Sequence, residues 1–155
     1  MPDQPITVAI ASDHAAVALK RNLVAWLGEQ GHAVLDLGTD GEASVDYPDF
    51  GYAVAEAIAA GRASFGVALC GSGIGISIAV NRHPRARCAL VSEPLSARLA
   101  REHNDANVIA MGARLIGEDM ARDCLAAFLA TEFGGGRHER RVAKLDNPPV
   151  LKEPA

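Results

Sequence analysis

The sequence predicts an α/β protein whose parallel sheet is covered by helices on both faces. Three observations predict it. Short apolar, β-branched runs alternate along the chain with longer segments of helical periodicity. The stretch Phe65–Asn81, FGVALCGSGIGISIAVN, joins a buried strand to a helix through a glycine-rich turn, and open α/β sheets place their sites at such strand ends. No internal repeat or low-complexity segment interrupts the alternation, and 155 residues is the length of one domain with a substantial core.

The elements follow in order. Ile6–Ala11 is a β-branched run, the first strand. Ser12 or Asp13 caps a helix that starts near Ala15. In that helix Leu19, Leu23, Trp26 and Leu27 fall at helical spacing, which assigns Lys20, Arg21 and Glu29 to the opposite face. Gly31 stops it, and Ala33–Leu37 is the second strand. Residues 38–46 form a polar loop without apolar period. Tyr47-Pro48-Asp49 opens the next helix, with Asp49 as cap and Phe50, Val54, Ala57 and Ile58 as buried stripe, and Gly61 ends it. Phe65–Leu69 is the third strand, and Ile74, Ile78 and their neighbours begin a helical pattern. Cys88–Val91 is the fourth strand. Ser92-Glu93-Pro94 then starts a helix with Pro94 at its first position, Leu95 and Leu99 inward, and an end near His103-Asn104-Asp105. Ala106–Ala110 is the fifth strand. Glu118–Thr131 is a helix with Met120, Cys124 and Phe128 inward. Beyond Gly134-Gly135-Gly136, Arg137–Leu145 reads as a basic helix or turn. Residues 1–146 are expected to form one domain, and 147–155 a Pro-rich extended arm.

Bulk properties exclude several classes. A net charge of −4 and a pI near 5.7 argue against a nucleic-acid binder. Cys70, Cys88 and Cys124 are odd in number and lack CxxC spacing, so a disulfide framework is not expected and a reducing, cytoplasmic setting is. The N-terminus has no basic region before its apolar run and does not read as a signal peptide. Ala63–Asn81 is uncharged and long enough to raise a transmembrane question, but four Gly and three Ser within it favour strand, turn and helix.

Cys70 is the residue with the strongest claim to chemistry. It ends a buried strand and precedes Gly71-Ser72-Gly73-Ile74-Gly75 and a helix start, surroundings that favour the thiolate and aim backbone N–H groups at a bound oxyanion. Cys88 and Cys124 lack such surroundings and read as core. A dinucleotide fingerprint would need Gly at position 76 or 78, and both are Ile. No GK[ST] follows either, so what remains is a cradle of amides. A redox role for Cys70 lacks a nearby resolving cysteine. Strand carboxyl ends also carry Asp13, His14 and Arg114, and chain geometry can bring His103 and Asn104 to the same rim. Asp13, His14 and His103 lack metal-ligand spacing, so no metal is expected. His32, His83 and His138 read as surface or outer residues. Arg137 and Arg141 are four apart and share a helical face, where two guanidinium forks suit a phosphate dianion.

Seven segments then carry a family resemblance: SDHA at Ser12–Ala15, DYPDFG at Asp46–Gly51, CGSGIG at Cys70–Gly75, NR at Asn81–Arg82, EHNDANV at Glu102–Val108, GAR at Gly112–Arg114 and GGRHERR at Gly135–Arg141. In this order they resemble ribose-5-phosphate isomerase B, of the family that also holds allose- and galactose-6-phosphate isomerases. The resemblance implies a Rossmann-like, three-layer α/β/α sandwich with a five-stranded parallel sheet. It implies a homodimer with sites across the interface, leaves a tetramer open, and implies no cofactor and neither nucleic acid nor membrane as partner. Ribose 5-phosphate and ribulose 5-phosphate would interconvert through an enediolate. Cys70 would be the base, since the position used by a Glu-dependent branch is Ile76 here. Ser72, with the amides of Gly71, Gly73 and Gly75, would hold the enediolate oxygens. His103 would open the sugar ring with Asp13 nearby, and Asn104 would bind hydroxyls. His14, Arg137 and Arg141, with Arg114, would hold the phosphate, and Tyr47 would line the pocket. The 38–46 loop leaves open five- or six-carbon substrates. A doubly wound nucleotide-binding module is the non-enzymatic alternative.

Overall fold

Strands and helices alternate over residues 4–149, which the computed structural model describes. They are β1 (Thr7–Ser12), α1 (Val17–Glu29), β2 (Ala33–Asp36), α2 (Tyr47–Ala59), β3 (Phe65–Cys70), α3 (Ile74–Val80), β4 (Cys88–Leu90), α4 (Pro94–Asn104), β5 (Val108–Gly112), α5 (Glu118–Ala130) and α6 (Glu139–Asp146), with 3₁₀ turns at His14–Ala16 and Gly136–His138. The strands form one parallel sheet in the order β2-β1-β3-β5-β4. β4 takes the edge and β5 returns between it and β3. The uncharged stretch from Ala63 is a six-residue strand, a turn and a seven-residue helix, and no helix among the described residues is long and apolar enough to cross a membrane.

Side-chain size separates the two faces of the sheet. Val8, Ile10, Val67, Leu69, Ile109 and Met111 point to one side and pack with α1, α4 and α5. Their neighbours Ala9, Ala11, Ala68, Cys70, Val108 and Ala110 point to the other, toward α2 and α3. This is the period-two alternation of a strand buried on both faces, with the bulk loaded on one face. The small face lets α2 come close: a Cβ at Gly66 would lie 2.5 Å from Val54 Cγ1. Helices lie on both sides because crossovers after β1 and β3 leave in opposite directions. Those two strands are neighbours, so their carboxyl ends form the switch point of the sheet.

Several local readings are corrected. The inward positions of α4 are Ala97, Ala100 and Arg101, and Leu95 is 53% exposed. Alanines let α4 lie against α5, and the Arg101 guanidinium fills the remaining space, 4.7 Å from the Phe65 ring centroid and bonded to Ala106 O at 2.7 Å. In α5 the buried stripe is Ala121, Cys124, Leu125, Phe128 and Leu129, leaving Met120 exposed at its margin. In α3 the buried residues are Ile76, Ser77, Ala79 and Val80, and Ile74 and Ile78 face outward. α2 begins at Tyr47 with Asp46 at its cap position, which puts Asp49 inside the first turn. His32 is buried with neither ring nitrogen hydrogen-bonded. Lys20 is 0% exposed instead of facing solvent. Of the expected extended arm, residues 150–155 lie outside the described residues.

Candidate active site

β3 delivers Cys70 to the switch point because its last inward-facing position is followed at once by the glycine turn. The register pairs Cys70 with Gly112 of β5 and Leu69 with Ser12 of β1, and the Asp13 N–H donates to Leu69 O at 3.1 Å. The turn is closed by Gly73, which sits at φ +77° and caps α3. Its N–H donates to Cys70 Sγ at 3.1 Å. The buried sulfur is thus an acceptor, the polarity a base requires. Ser72 Oγ accepts from Ile74 N–H at 3.2 Å. Side chains are excluded around this turn. A Cβ at Gly112 would meet the Ser72 backbone at 2.5 Å, and one at Gly75 would meet the Tyr47 ring at 2.6 Å. A Cβ at Gly71 would lie 3.2 Å from Arg114 Nη1, so the guanidinium lies over the first glycine.

A cavity of about 570 Å³ opens here, lined by Asp13, Tyr47, Cys70, Gly71, Ser72, Ile74, Gly75, Ile78, Arg114 and Leu115. Asp13 also caps the 3₁₀ turn, accepting from Ala15 N–H at 3.0 Å. Half-buried His14 lies at the start of that turn, where its Nδ1 accepts from Val45 N–H at 3.2 Å. The structure therefore brings together Asp13, Tyr47, Cys70, Gly71, Ser72, Gly75 and Arg114, with Gly73 closing the turn and His14 beside it. Ile74, Ile78 and Leu115 also line the cavity. The spacing of Ile74 and Ile78, apolar residues on the outer side of a glycine-turn helix, was the available signal. Leu115 carried none.

The remaining expected residues do not join this group within one chain. α4 runs back across the sheet, so His103 and Asn104 at its end lie at the amino edge of the strands. A five-residue strand separates the two edges by about 17 Å. The C-terminal segment is tied to that same edge: Gly134 N–H donates to Glu102 O at 2.9 Å, the His138 ring stacks on His103 at 4.4 Å, and Asp146 pairs with Arg87 at 2.9 Å. Arg137 and Arg141 are exposed beside it. Burial lowers the pKa of His138, and the charges of His103, Arg137 and Arg141 add to that. Asn104 lines a separate cavity of about 540 Å³ with Asn81, Arg82, Arg87 and Cys88. That cavity lies at the amino edge of the strands, away from the switch point, so the first is the candidate for chemistry. Within one chain His103 and Asn104 do not reach the rim of Cys70, because α4 finishes at the opposite edge. No group of three or more His, Cys, Asp or Glu residues that could hold a metal occurs among the described residues.

The ribose/galactose isomerase family model matches residues 8–145. A putative sugar phosphate isomerase of Bacillus subtilis is 44% identical over 141 residues, covering 90% of this chain and 95% of the relative. Ribose-5-phosphate isomerase B of Escherichia coli is 43% identical over 135 residues, covering 87% and 91%. The crystal structure of a ribose 5-phosphate isomerase from Thermotoga maritima superposes with a TM-score of 0.90 at 48% identity, covering 92% of this chain and 99% of that one. A doubly wound sheet with a thiol on a glycine turn at its switch point, in this company, defines an enzyme of the sugar-phosphate isomerase class. The chain belongs to the ribose/galactose isomerase family.

Proposed function

We propose that the protein interconverts ribose 5-phosphate and ribulose 5-phosphate, with Cys70 carrying the proton between C2 and C1. The observation that carries the reading is the Gly73 N–H donated to Cys70 Sγ, with Asp13 and Arg114 in the same cavity. Aldose–ketose exchange needs a base that returns its proton and donors for the oxygens that become negative. Cys70 takes the C2 proton of the open-chain aldose. The electron pair moves into the C1–C2 bond, and the resulting enediolate oxygens face Ser72 and the amides of Gly71, Gly73 and Gly75. Returning the proton to C1, with the hydroxyl proton passing from O2 to O1, gives the ketose. His14 and Arg114 grip the phosphate, and Tyr47 lines the sugar path.

Ring opening by His103, hydroxyl binding by Asn104 and phosphate binding by Arg137 and Arg141 then come from a second copy. Two observations favour such a homodimer. The cavity rim exposes Tyr47, Ile74, Ile78 and Leu115, a contiguous apolar surface beside a polar site. The His103, Arg137 and Arg141 edge carries cationic and imidazole groups but no thiol on a glycine turn. A two-fold pairing would place each half against the other. Residues 8–145 span both halves and stand as one catalytic domain in this reading.

A panel of aldose phosphates assayed for isomerisation tests the assignment. Ribose 5-phosphate is expected to give the highest kcat/KM. A higher value with allose or galactose 6-phosphate would move the substrate to six carbons, and no turnover of any would remove the reading.

A further inference from the structure

Lys20 is a fully buried cation that the reaction does not use. It occupies a core position of α1, four residues after Ala16 and three before Leu23, where an apolar side chain would satisfy packing. Its Nζ instead reaches past the end of β2. It lies 2.6 Å from Asp36 Oδ1 and 2.8 Å from Asp40 Oδ1. Burying an amine is unfavourable unless it is paired and hydrogen-bonded, so the two carboxylates define its function.

Asp36 ends β2 just before the 38–46 loop, and Asp40 lies within it. Asp36 Oδ1 also accepts from Gly38 N–H at 3.0 Å. Gly38 O accepts from Ser12 N–H at 2.7 Å, and Thr39 N–H donates to Ser12 O at 2.8 Å. The adjacent Arg21 Nη2 donates to Asp40 O at 2.9 Å. α1 therefore holds the loop from beneath, next to Asp13. Further along, Val45 N–H meets His14 Nδ1, and Tyr47 enters the cavity. A neutral imidazole that accepts at Nδ1 carries its proton at Nε2. No protein partner of His14 Nε2 occurs among the described residues. Lys20 also holds the Asp40 carboxyl below the usual carboxylate range, through a hydrogen bond and its charge.

We propose that Lys20 is a positioning residue. By gripping Asp36 and Asp40 it fixes the 38–46 loop so that Val45 N–H stays on His14 Nδ1 and His14 offers Nε2–H to the substrate phosphate. The last clause rests on the reading of His14 as a phosphate ligand given above.

Two variants of the full chain test it, Lys20→Met and Asp40→Asn. Asp40 is exposed, so Asp40→Asn keeps the test decisive if Lys20→Met does not fold. Imidazole ¹⁵N spectra without substrate, assigned with His14→Gln, are expected to show a single Nε2–H tautomer for His14 in the native protein. The variants are expected to give a tautomer mixture, with KM for ribose 5-phosphate raised about tenfold and kcat within about twofold. A folded Asp40→Asn protein with the tautomer and KM unchanged would overturn the proposal. So would equal losses in kcat and kcat/KM with the tautomer intact, which mark stability alone. The ¹⁵N signal needs no turnover, so it still decides the clamp if the chain proves inactive on pentose phosphates.

Discussion

At the scale of the residue, the three cysteines show how surroundings select one thiol for chemistry. Cys124 is sealed on the inner face of α5, and burial together with the charges of Glu93 and Asp123 pushes its thiol up to about 11. Burial pushes Cys88 up to about 12. Of the three, Cys70 accepts the Gly73 N–H and lines the candidate cavity. Cys70→Ala is therefore expected to lower isomerisation by a factor of at least about 10² and to abolish solvent exchange of the C2 proton, while sugar-phosphate binding by calorimetry persists. Retained exchange by NMR would remove Cys70 from the role of base. The raised value at Cys88 also sets a pH dependence. The folded chain holds that proton more tightly than the unfolded chain, whose value is near 9.0. The stabilisation is complete below pH 9 and is lost as pH rises toward 12. Urea midpoints measured from pH 8 to 11 should fall more steeply for the native protein than for Cys88→Ala, and parallel curves would contradict this.

At the scale of the element, the glycine turn before α3 joins conformation to chemistry. Gly73 needs a left-handed φ, and a Cβ there would lie 2.7 Å from the Met111 backbone carbon and from Leu90 Cδ1. Its N–H is also the donor to Cys70. Gly73→Ala should lower the Tm by several degrees, an effect of about 1 kcal/mol or more, and reduce kcat by about 10² through the displaced amides. Thermal melts and steady-state kinetics on one sample check both, and a variant changed only in Tm would separate the turn from catalysis. The same scale explains the misread helix faces. Large apolar residues mark the inner stripe only where the neighbouring surface has room for them. α4 meets α5 through Ala97 and Ala100, so Leu95 turns outward. In α1 the buried residues are Leu19, Lys20, Leu23 and Leu27, and the spacing of Lys20 was the signal that its charge obscured.

At the scale of the whole molecule, the parallel sheet divides the proposed site. Strand ends carry the thiol half at one edge, and the helix that returns to start β5 carries His103 and Asn104 to the other. Within one chain the length of a strand keeps these two edges about 17 Å apart. If two copies complete each site, mixing Cys70→Ala protein with His103→Ala protein should restore activity that neither has alone. Random pairing makes half the dimers mixed, each with one intact site of two, so recovery should approach about a quarter of the native rate. No recovery after subunit exchange, confirmed by native mass spectrometry, would place the complete site within one chain or in some other arrangement.

Much of this protein was legible along the chain. The order of elements, the thiol before a glycine turn and Asp13-His14 after the first strand are local features. Strand and helix periodicity, caps and turn chemistry depend on residues a few positions apart, and the sequence determined them by itself. It could not determine that β5 inserts between β3 and β4, that Lys20 lies buried beneath the loop, or that His103 and Arg137 stand at the far edge from Cys70. Those outcomes depend on which strands pair and on the shape each helix finds across the core. Such contacts join residues distant in the chain, and only the tertiary structure decided them.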